Sequence, residues 1–293
     1  MSGQITSNLE PLLSSAGLRP THPVEAIDEF GKKRDMRVAG EFPLTIKVDE
    51  REVVTLMTLG TYPELLALGY LRNQRLVESV YDIKSIKVDW DRETAFVETH
   101  AGEGIIDWEN KLSKRTVTTG CGQGTVFSCT LDKIYENPLP KAFIRQSTLY
   151  GLLSNIAKFN EIYKQAGAVH GCALCEDTNI EIFVEDVGRH NAADTIAGQM
   201  WMDGTSGEGK IFYTTGRLTS EIVMKVAHMG IPILLSRSGI TYMGLELAQD
   251  LRVTMIARAK GRHFLVYNGS DTVEYDQVPE RRAAVANRQV AVG

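Results

Sequence analysis

The sequence predicts an α/β fold in which a three-layer C-terminal domain with a mostly parallel sheet follows a smaller α+β region. Three observations predict it. Between residues 181 and 267, apolar runs of strand length alternate with segments of helical periodicity, the pattern of βα units with right-handed crossovers. Between residues 44 and 57, apolar and polar residues alternate at strand spacing. The 293 residues are 43% hydrophobic and 24% charged, which excludes a disordered body and allows one large core or two.

Taken in order, residues 1–26 are polar and aperiodic and are expected to form a mobile tail. The α+β region is expected over 27–138. There Leu44, Ile46 and Val48 alternate with Thr45 and Lys47, Asp49-Glu50 makes a turn, and Val53 to Met57 returns. Thr61 stands three residues before Glu64, with Pro63 in the first turn, so a capping box is expected to open a helix on Leu65, Leu68 and Leu71. Strands follow at Ile83–Val88 and Ala95–Thr99. Gly120-Cys121-Gly122-Gln123-Gly124 holds three glycines in five residues and reads as a loop.

The second domain is expected over 139–272. It opens with an amphipathic helix from Ser147 to about Ala166, closed by Gly167 as a left-handed cap. Strand Glu181–Glu185 leads to helix Asn191–Met202, strand Lys210–Thr214 to helix Thr219–Met229, and strand Pro232–Ser236 to helix Tyr242–Leu251. Strands Val253–Ala257 and Phe264–Tyr267 finish it, and 273–293 is read as a C-terminal tail.

Charge narrows the function. Lys and Arg number 32 against 37 Asp and Glu, a net charge of −5, which argues against a nucleic-acid-coating protein. No apolar run approaches the roughly 18 residues of a membrane helix. Met1–Pro20 shows no secretory signal, and four cysteines make no disulfide framework, so a cytoplasmic protein is expected.

In open α/β sheets, ligands bind outside the carboxyl ends of the strands. Here those ends read Asp186-Val187-Gly188-Arg189-His190-Asn191, Thr215-Gly216-Arg217-Leu218-Thr219, Ser236-Arg237-Ser238-Gly239 and Arg258-Ala259-Lys260-Gly261-Arg262. Each pairs a cation with a small or hydroxyl residue. Glycine admits close backbone approach, helix N-termini offer N–H groups, and guanidinium forks match phosphate oxygens. The set points to a polyanionic ligand with more than one phosphate, such as a nucleotide. The alternative is that each arginine ties down its loop by pairing with Glu185, Asp186, Glu221 or a carbonyl group. His190 is either a general acid or base, or a satisfied histidine at a helix start.

Cys121 lies between glycines, with Lys114 and Arg115 upstream, a setting that favours an accessible thiolate; the alternative is an incidental buried thiol in a turn. Cys172-Ala173-Leu174-Cys175 has metal or redox spacing but no second pair, and it and Cys129 are read as core.

With Gly120-Cys121-Gly122, Gly167-Ala168-Val169-His170, Glu185 to Asn191, Gly216-Arg217-Leu218-Thr219-Ser220-Glu221 and Gly230 to Ser238 in this order, the chain resembles the FdhD-type formate dehydrogenase accessory sulfurtransferases over about Gly40 to Tyr267. The resemblance implies a cytidine-deaminase-like C-terminal domain, a homodimer, and a role for Cys121 as persulfide carrier. It implies a cysteine desulfurase as sulfur donor and formate dehydrogenase as client. It further implies binding of a molybdenum cofactor bearing two molybdopterin guanine dinucleotides, through Ala257, Arg258, Ala259, Lys260, Gly261 and Arg262. From the strand ends, Arg189, His190, Gly216, Arg217, Ser236 and Arg237 are added, with GDP as a mimic of the ligand. No resident metal is expected. Many members carry a second cysteine where Gly124 stands, so this loop cannot close an internal disulfide, although one thiol suffices to hold and donate sulfur. A zinc nucleobase deaminase, the rival the fold suggests, lacks its His-x-Glu and Pro-Cys-x-x-Cys ligands here. A chaperone that carries the cofactor with Cys121 idle remains the other alternative.

Overall fold

The computed structural model describes residues 10–102, 105, 115–117, 124–126 and 139–279. The alternation at 44–57 becomes strands β4 (Phe42–Val48) and β5 (Arg51–Thr58), joined at Asp49, whose φ of 49° supplies the tight turn. Leu44, Ile46 and Val48 are fully buried beneath helix α1 (Pro63–Asn73). With β1 (Leu12–Leu13), β6 (Ile83–Asp89) and β7 (Thr94–Thr99), these strands form a five-stranded sheet of order β1-β6-β7-β4-β5.

Two expectations fail here. Of the expected tail, residues 12–13 are β1, which pairs with β6, and β2 (Thr21–Ile27) forms a hairpin with β3 (Lys33–Ala39). The capping box does not form either. Tyr62 is the N-cap residue, and the Glu64 carboxylate instead accepts from Ser14 Oγ at 2.5 Å and Ala16 N at 2.9 Å. The lost cap and the order around Ser14 and Ala16 share one cause: a polar segment without periodicity is held by hydrogen bonds to a distant carboxylate, a tertiary effect that local patterning does not carry. Residues 1–9 lie outside the described set.

β8 (Arg115–Val117) and β9 (Gly124–Val126) pair antiparallel, with Val117 opposite Gly124. β10 (Ile144–Arg145) leads into α2 (Gln146–Ile156) and α3 (Glu161–Ala166). The single helix expected over 147–166 is thus broken. Glu185 explains the break: its carboxylate oxygens accept from the N–H groups of Ile162 and Tyr163, both at 2.9 Å, and so fix a new helix start. Gly167 takes the left-handed cap at φ 77° as expected.

The second sheet comprises β11 (His170–Glu176), β12 (Asn179–Asp186), β13 (Ile211–Thr214), β14 (Ile233–Ser236), β15 (Thr254–Lys260) and β16 (His263–Asn268), in the order β12-β11-β13-β14-β15-β16. Only its centre is parallel, at β13–β14 and β14–β15; the pairings of β11 with β12 and β13, and of β15 with β16, are antiparallel. The expectation of a mostly parallel sheet is corrected accordingly. Two-residue connections at Asp177-Thr178 and Gly261-Arg262 leave no room for a crossover, so those neighbours must be antiparallel. Because β12 and β13 both oppose β11, the strands β12 to β15 all point the same way, and their carboxyl ends share one edge.

Helices α4 (Arg189–Met202), α5 (Ser220–His228) and α6 (Tyr242–Asp250) cover one face and α2 covers the other, which gives three layers. Cys172 belongs to the first core and Cys175 to the second; the two thiols face opposite sides of the sheet. β17 (Val273–Glu274) pairs with β10, so the expected C-terminal tail begins past residue 274.

The α+β region docks through α1 against α4. A Cβ on Gly69 would stand 1.7 Å from the Asp194 carbonyl oxygen, and one on Gly198 would stand 2.1 Å from that of Leu65, so only glycine permits this approach. Beside the crossing, buried Asp194 accepts from Asn73 Nδ2 at 2.7 Å and from Lys225 Nζ at 2.7 and 2.6 Å, joining α1, α4 and α5.

Candidate functional site

The shared carboxyl edge is built by loops that fasten one another. At the end of β12, buried Asp186 accepts from Thr58 Oγ1 (2.6 Å), Leu59 N, Gly188 N and Asn191 Nδ2 (2.9 Å each). Burial pushes its carboxyl up, and these bonds oppose the shift. Asp186 therefore ties β5 to the turn that starts α4. Arg189 then crosses over the loop after β13, where a Cβ on Gly216 would come within 2.6 Å of Arg189 Cδ. Gly216 N donates to Thr214 Oγ1 (3.0 Å), and Gly216 O accepts from Ser236 Oγ (2.7 Å), which also accepts from Ser238 N (2.9 Å). Arg258, at φ 51°, donates its N–H to Ser238 O (2.9 Å). Four strand ends are linked in one continuous chain of contacts.

A cavity of about 510 Å³ opens at this edge, within the usual range of small-molecule sites. Its walls include Tyr163, Gly167, His170, Thr215, Arg237 and Ser238. Arg217, Arg237, Arg258, Lys260 and Arg262 are exposed, and among the described residues no ion pair joins any of them to a carboxylate. Glu185 and Asp186, offered above as loop-tying partners, are occupied by the N–H and hydroxyl donors already described. The exposed guanidiniums stand ready for an external anion.

The histidines report the same field. His170 is half-buried at the start of β11, with Nδ1 3.4 Å from Thr215 Oγ1. Its pKa is lowered, first by burial and then by Arg189 and Arg217. His190, at the start of α4, is pushed down to about 2 by burial and then by Lys225, Arg189, His170 and Arg217. Its Nε2 approaches Glu221 Oε2 at 3.4 Å without hydrogen-bond geometry. Buried and with its pKa pushed down, His190 is a neutral imidazole near pH 7 rather than an imidazolium acid.

The edge thus gathers Arg189, Gly216, Arg217 and Arg237. It does not present every residue expected of it. Ala257 and Ala259 are buried, one in each core, because β15 continues through them as a central strand. Ser236 is fully buried and braces Gly216 rather than facing the cavity. Lys260, Gly261 and Arg262 form the β15–β16 turn, where Arg262 lies over the Tyr150 ring of α2 at 5.9 Å, on the side of the sheet away from α4. His170 was missed as a site residue, although it ends the string Gly167-Ala168-Val169-His170. With β11 unrecognised as a strand, nothing placed it beside Thr215. Burial pushes both Cys172 and Cys175 up to about 12, which makes them inert core thiols. Cys121 and Cys129 lie outside the described residues; the backbone of β8 and β9 is described on either side of 118–123.

Comparison with known proteins places this architecture. The model of the FdhD/NarQ family matches residues 39–274. A protein of Listeria monocytogenes serotype 4b (strain F2365) named sulfur carrier protein FdhD is 33% identical over 244 residues, covering 80% of this chain and 91% of its own. The Bacillus subtilis (strain 168) protein of that name is 27% identical over 246 residues, covering 84% and 93%. A crystal structure from Desulfotalea psychrophila, described as a formate dehydrogenase accessory protein, superposes with a TM-score of 0.67 at 25% identity, covering 86% of this chain and 98% of that one.

Proposed function

The chain belongs to the FdhD/NarQ family, and from that premise we propose that it is a sulfur carrier serving formate dehydrogenase maturation. In this reading Cys121 accepts sulfane sulfur from a cysteine desulfurase. The Cys121 thiolate attacks the outer sulfur of the donor persulfide, a new S–S bond forms at Cys121, and the donor cysteine departs as thiolate. On delivery a thiol reductant supplies two electrons and leaves as its disulfide, the S–S bond at Cys121 breaks, the Cys121 thiolate is restored, and the sulfur passes at the sulfide level to the molybdenum cofactor. The bis(molybdopterin guanine dinucleotide) cofactor is the substrate, and no resident metal takes part. The protein acts in the cytoplasm as a homodimer.

Within the molecule, the observation that carries this reading is the 510 Å³ cavity at the carboxyl edge, with the exposed Arg237 on its wall and Arg217 close enough to act on its His170, neither in an ion pair among the described residues. Phosphate charges match these cations. One nucleotide arm fits a cavity of this size. Arg237 and Ser238 on its wall, with Arg217 beside it, hold phosphate oxygens; His170 and Tyr163 flank the remainder. Holding the cofactor fixed lets a sulfur donor on a neighbouring segment react as an intramolecular partner.

Calorimetry with GDP tests the site. The expected result is binding that Arg237→Ser weakens about tenfold or more, the usual loss for one hydrogen bond to a charged group, roughly 1.5–3 kcal/mol. Absence of binding at millimolar GDP overturns the cavity assignment. The chaperone alternative differs on one point: under it, Cys121→Ala leaves formate dehydrogenase activation intact.

A further inference from the structure

A second cationic pocket lies at the other end of the helices. It occupies about 310 Å³ and is walled by Arg72, Arg75, Val77, Glu78, Trp201 and His228. Arg72 belongs to the last turn of α1, and Arg75 follows that helix with φ 52°. Trp201 stands in the last turn of α4 and His228 ends α5. Both α4 and α5 start at the carboxyl edge, and α4 has 14 residues. At about 1.5 Å per residue, this pocket stands roughly 20 Å from the cavity described above.

Basic groups at helix C-termini have an ordinary structural use, since they offset the negative end of the macrodipole. That use accounts for Arg72, whose Nη1 donates to Ala197 O at 2.8 Å while its guanidinium lies 5.8 Å from the Trp201 ring centroid. It does not account for the other two. Arg75 Nε and His228 Nδ1 are inaccessible to solvent, and among the described residues neither has a hydrogen-bond partner. Both border a cavity, and their neighbours are cationic: His228 is pushed down to about 3, by burial first and then by Arg75 and Arg72. Glu78, the acidic group on the wall, is exposed and joins no ion pair among the described residues. Buried donors are satisfied in native proteins as a rule, so the orphaned Arg75 Nε–H, joined by His228 Nδ1 in the tautomer that carries its proton there, calls for an acceptor that carries negative charge.

We propose that this pocket is an oxyanion site, taking a phosphate group between Arg75, Arg72 and His228 with the Trp201 ring as its apolar wall. A dianion matches the two fixed guanidinium charges, and a third donor comes from the imidazole. The phosphate is either the free ion or the end of a phosphate monoester; Val77 and Trp201 offer contact to the organic part of the latter. This site is independent of the sulfur-carrier reading, which concerns the opposite edge.

The test follows the His228 ring protons by NMR in the full-length protein, assigned by loss of the signal in His228→Gln. Inorganic phosphate, glycerol phosphate and acetate are titrated separately at constant ionic strength in a chloride buffer. Saturable shifts are expected with both phosphates and at least tenfold weaker ones with acetate. Tighter binding of glycerol phosphate than of inorganic phosphate identifies the monoester as the source, and the reverse identifies the free ion. Arg75→Asn, which suits the left-handed backbone, is expected to weaken phosphate at least tenfold, and Arg75→Lys, which keeps the charge, to weaken it less. Arg237→Ser at the other edge is expected to change nothing. A ring signal that does not respond to 20 mM phosphate overturns the proposal, as does a response equal to that of chloride alone or one unaltered in both Arg75 variants.

Discussion

Asp194→Ala is expected to cost the protein a large part of its stability, because it strands a buried charge. The Asp194 and Lys225 side chains are 2% and 4% exposed, and Nζ meets both carboxylate oxygens, at 2.6 and 2.7 Å. Removing the carboxylate leaves the ammonium with Glu221 Oε1 at 3.7 Å as its remaining ion pair, and takes from Asn73 its acceptor. Removing one partner of a buried pair costs about 3–5 kcal/mol, whereas replacing both by apolar groups is often neutral. At roughly 2–4 °C per kcal/mol for a chain of this class, the melting temperature should fall by about 6–20 °C. Circular dichroism melts and urea titrations at pH 7 measure it. Asp194→Leu combined with Lys225→Met should recover at least half the loss. A single-variant loss below about 1 kcal/mol, or a double variant less stable than the single, refutes the claim that this pair fastens α1, α4 and α5 together.

Acid should destabilise the protein through its buried histidines. His190 and His228 sit at about 2 and about 3 when folded, below the ordinary 6.5, so the unfolded chain takes protons that the folded one refuses. Their contribution is intact above about pH 6.5 and is lost as pH falls, at about 1.4 kcal/mol per unit for each histidine. Urea titrations from pH 7 to 5 should show that slope, and His190→Gln should flatten it by about half; an unchanged slope counts against it. Gly69→Ala should destabilise by more than about 3 kcal/mol or give insoluble protein, because its methyl group meets backbone rather than a movable side chain; a melting temperature within 2 °C of the parent contradicts the packing described. Cys172 and Cys175, fully buried with thiols pushed up to about 12, should escape iodoacetamide in the native protein, as peptide mass mapping can show.

What the sequence revealed, and what it hid, divides along one physical line. Periodicity within 4 to 14 residues located the parallel core: β13, β14 and β15 and helices α4 to α6 stand within a few residues of their expected bounds. It also placed four strand ends on one edge, because repeated right-handed crossovers leave no other arrangement. Contacts between distant segments were invisible. No local pattern tells that Glu64 is held by Ser14, that Glu185 restarts a helix at Glu161, or that Ser236 turns inward to brace Gly216. β11 was read as an apolar run of core, correctly, but its role as the strand that places His170 in the cavity wall depends on register. Ala257 and Ala259 carry no signal distinguishing a backbone that touches a ligand from the small core residues they are.

The central claim is that Cys121 carries sulfur. Incubating the protein with a cysteine desulfurase and ³⁵S-cysteine, then mapping the label by peptide mass spectrometry under non-reducing conditions, tests it most directly. One additional sulfur atom is expected on the peptide containing Cys121, released by dithiothreitol and missing in Cys121→Ala. Label confined to other cysteines, or no label while Cys121→Ala still supports formate dehydrogenase activation, contradicts it.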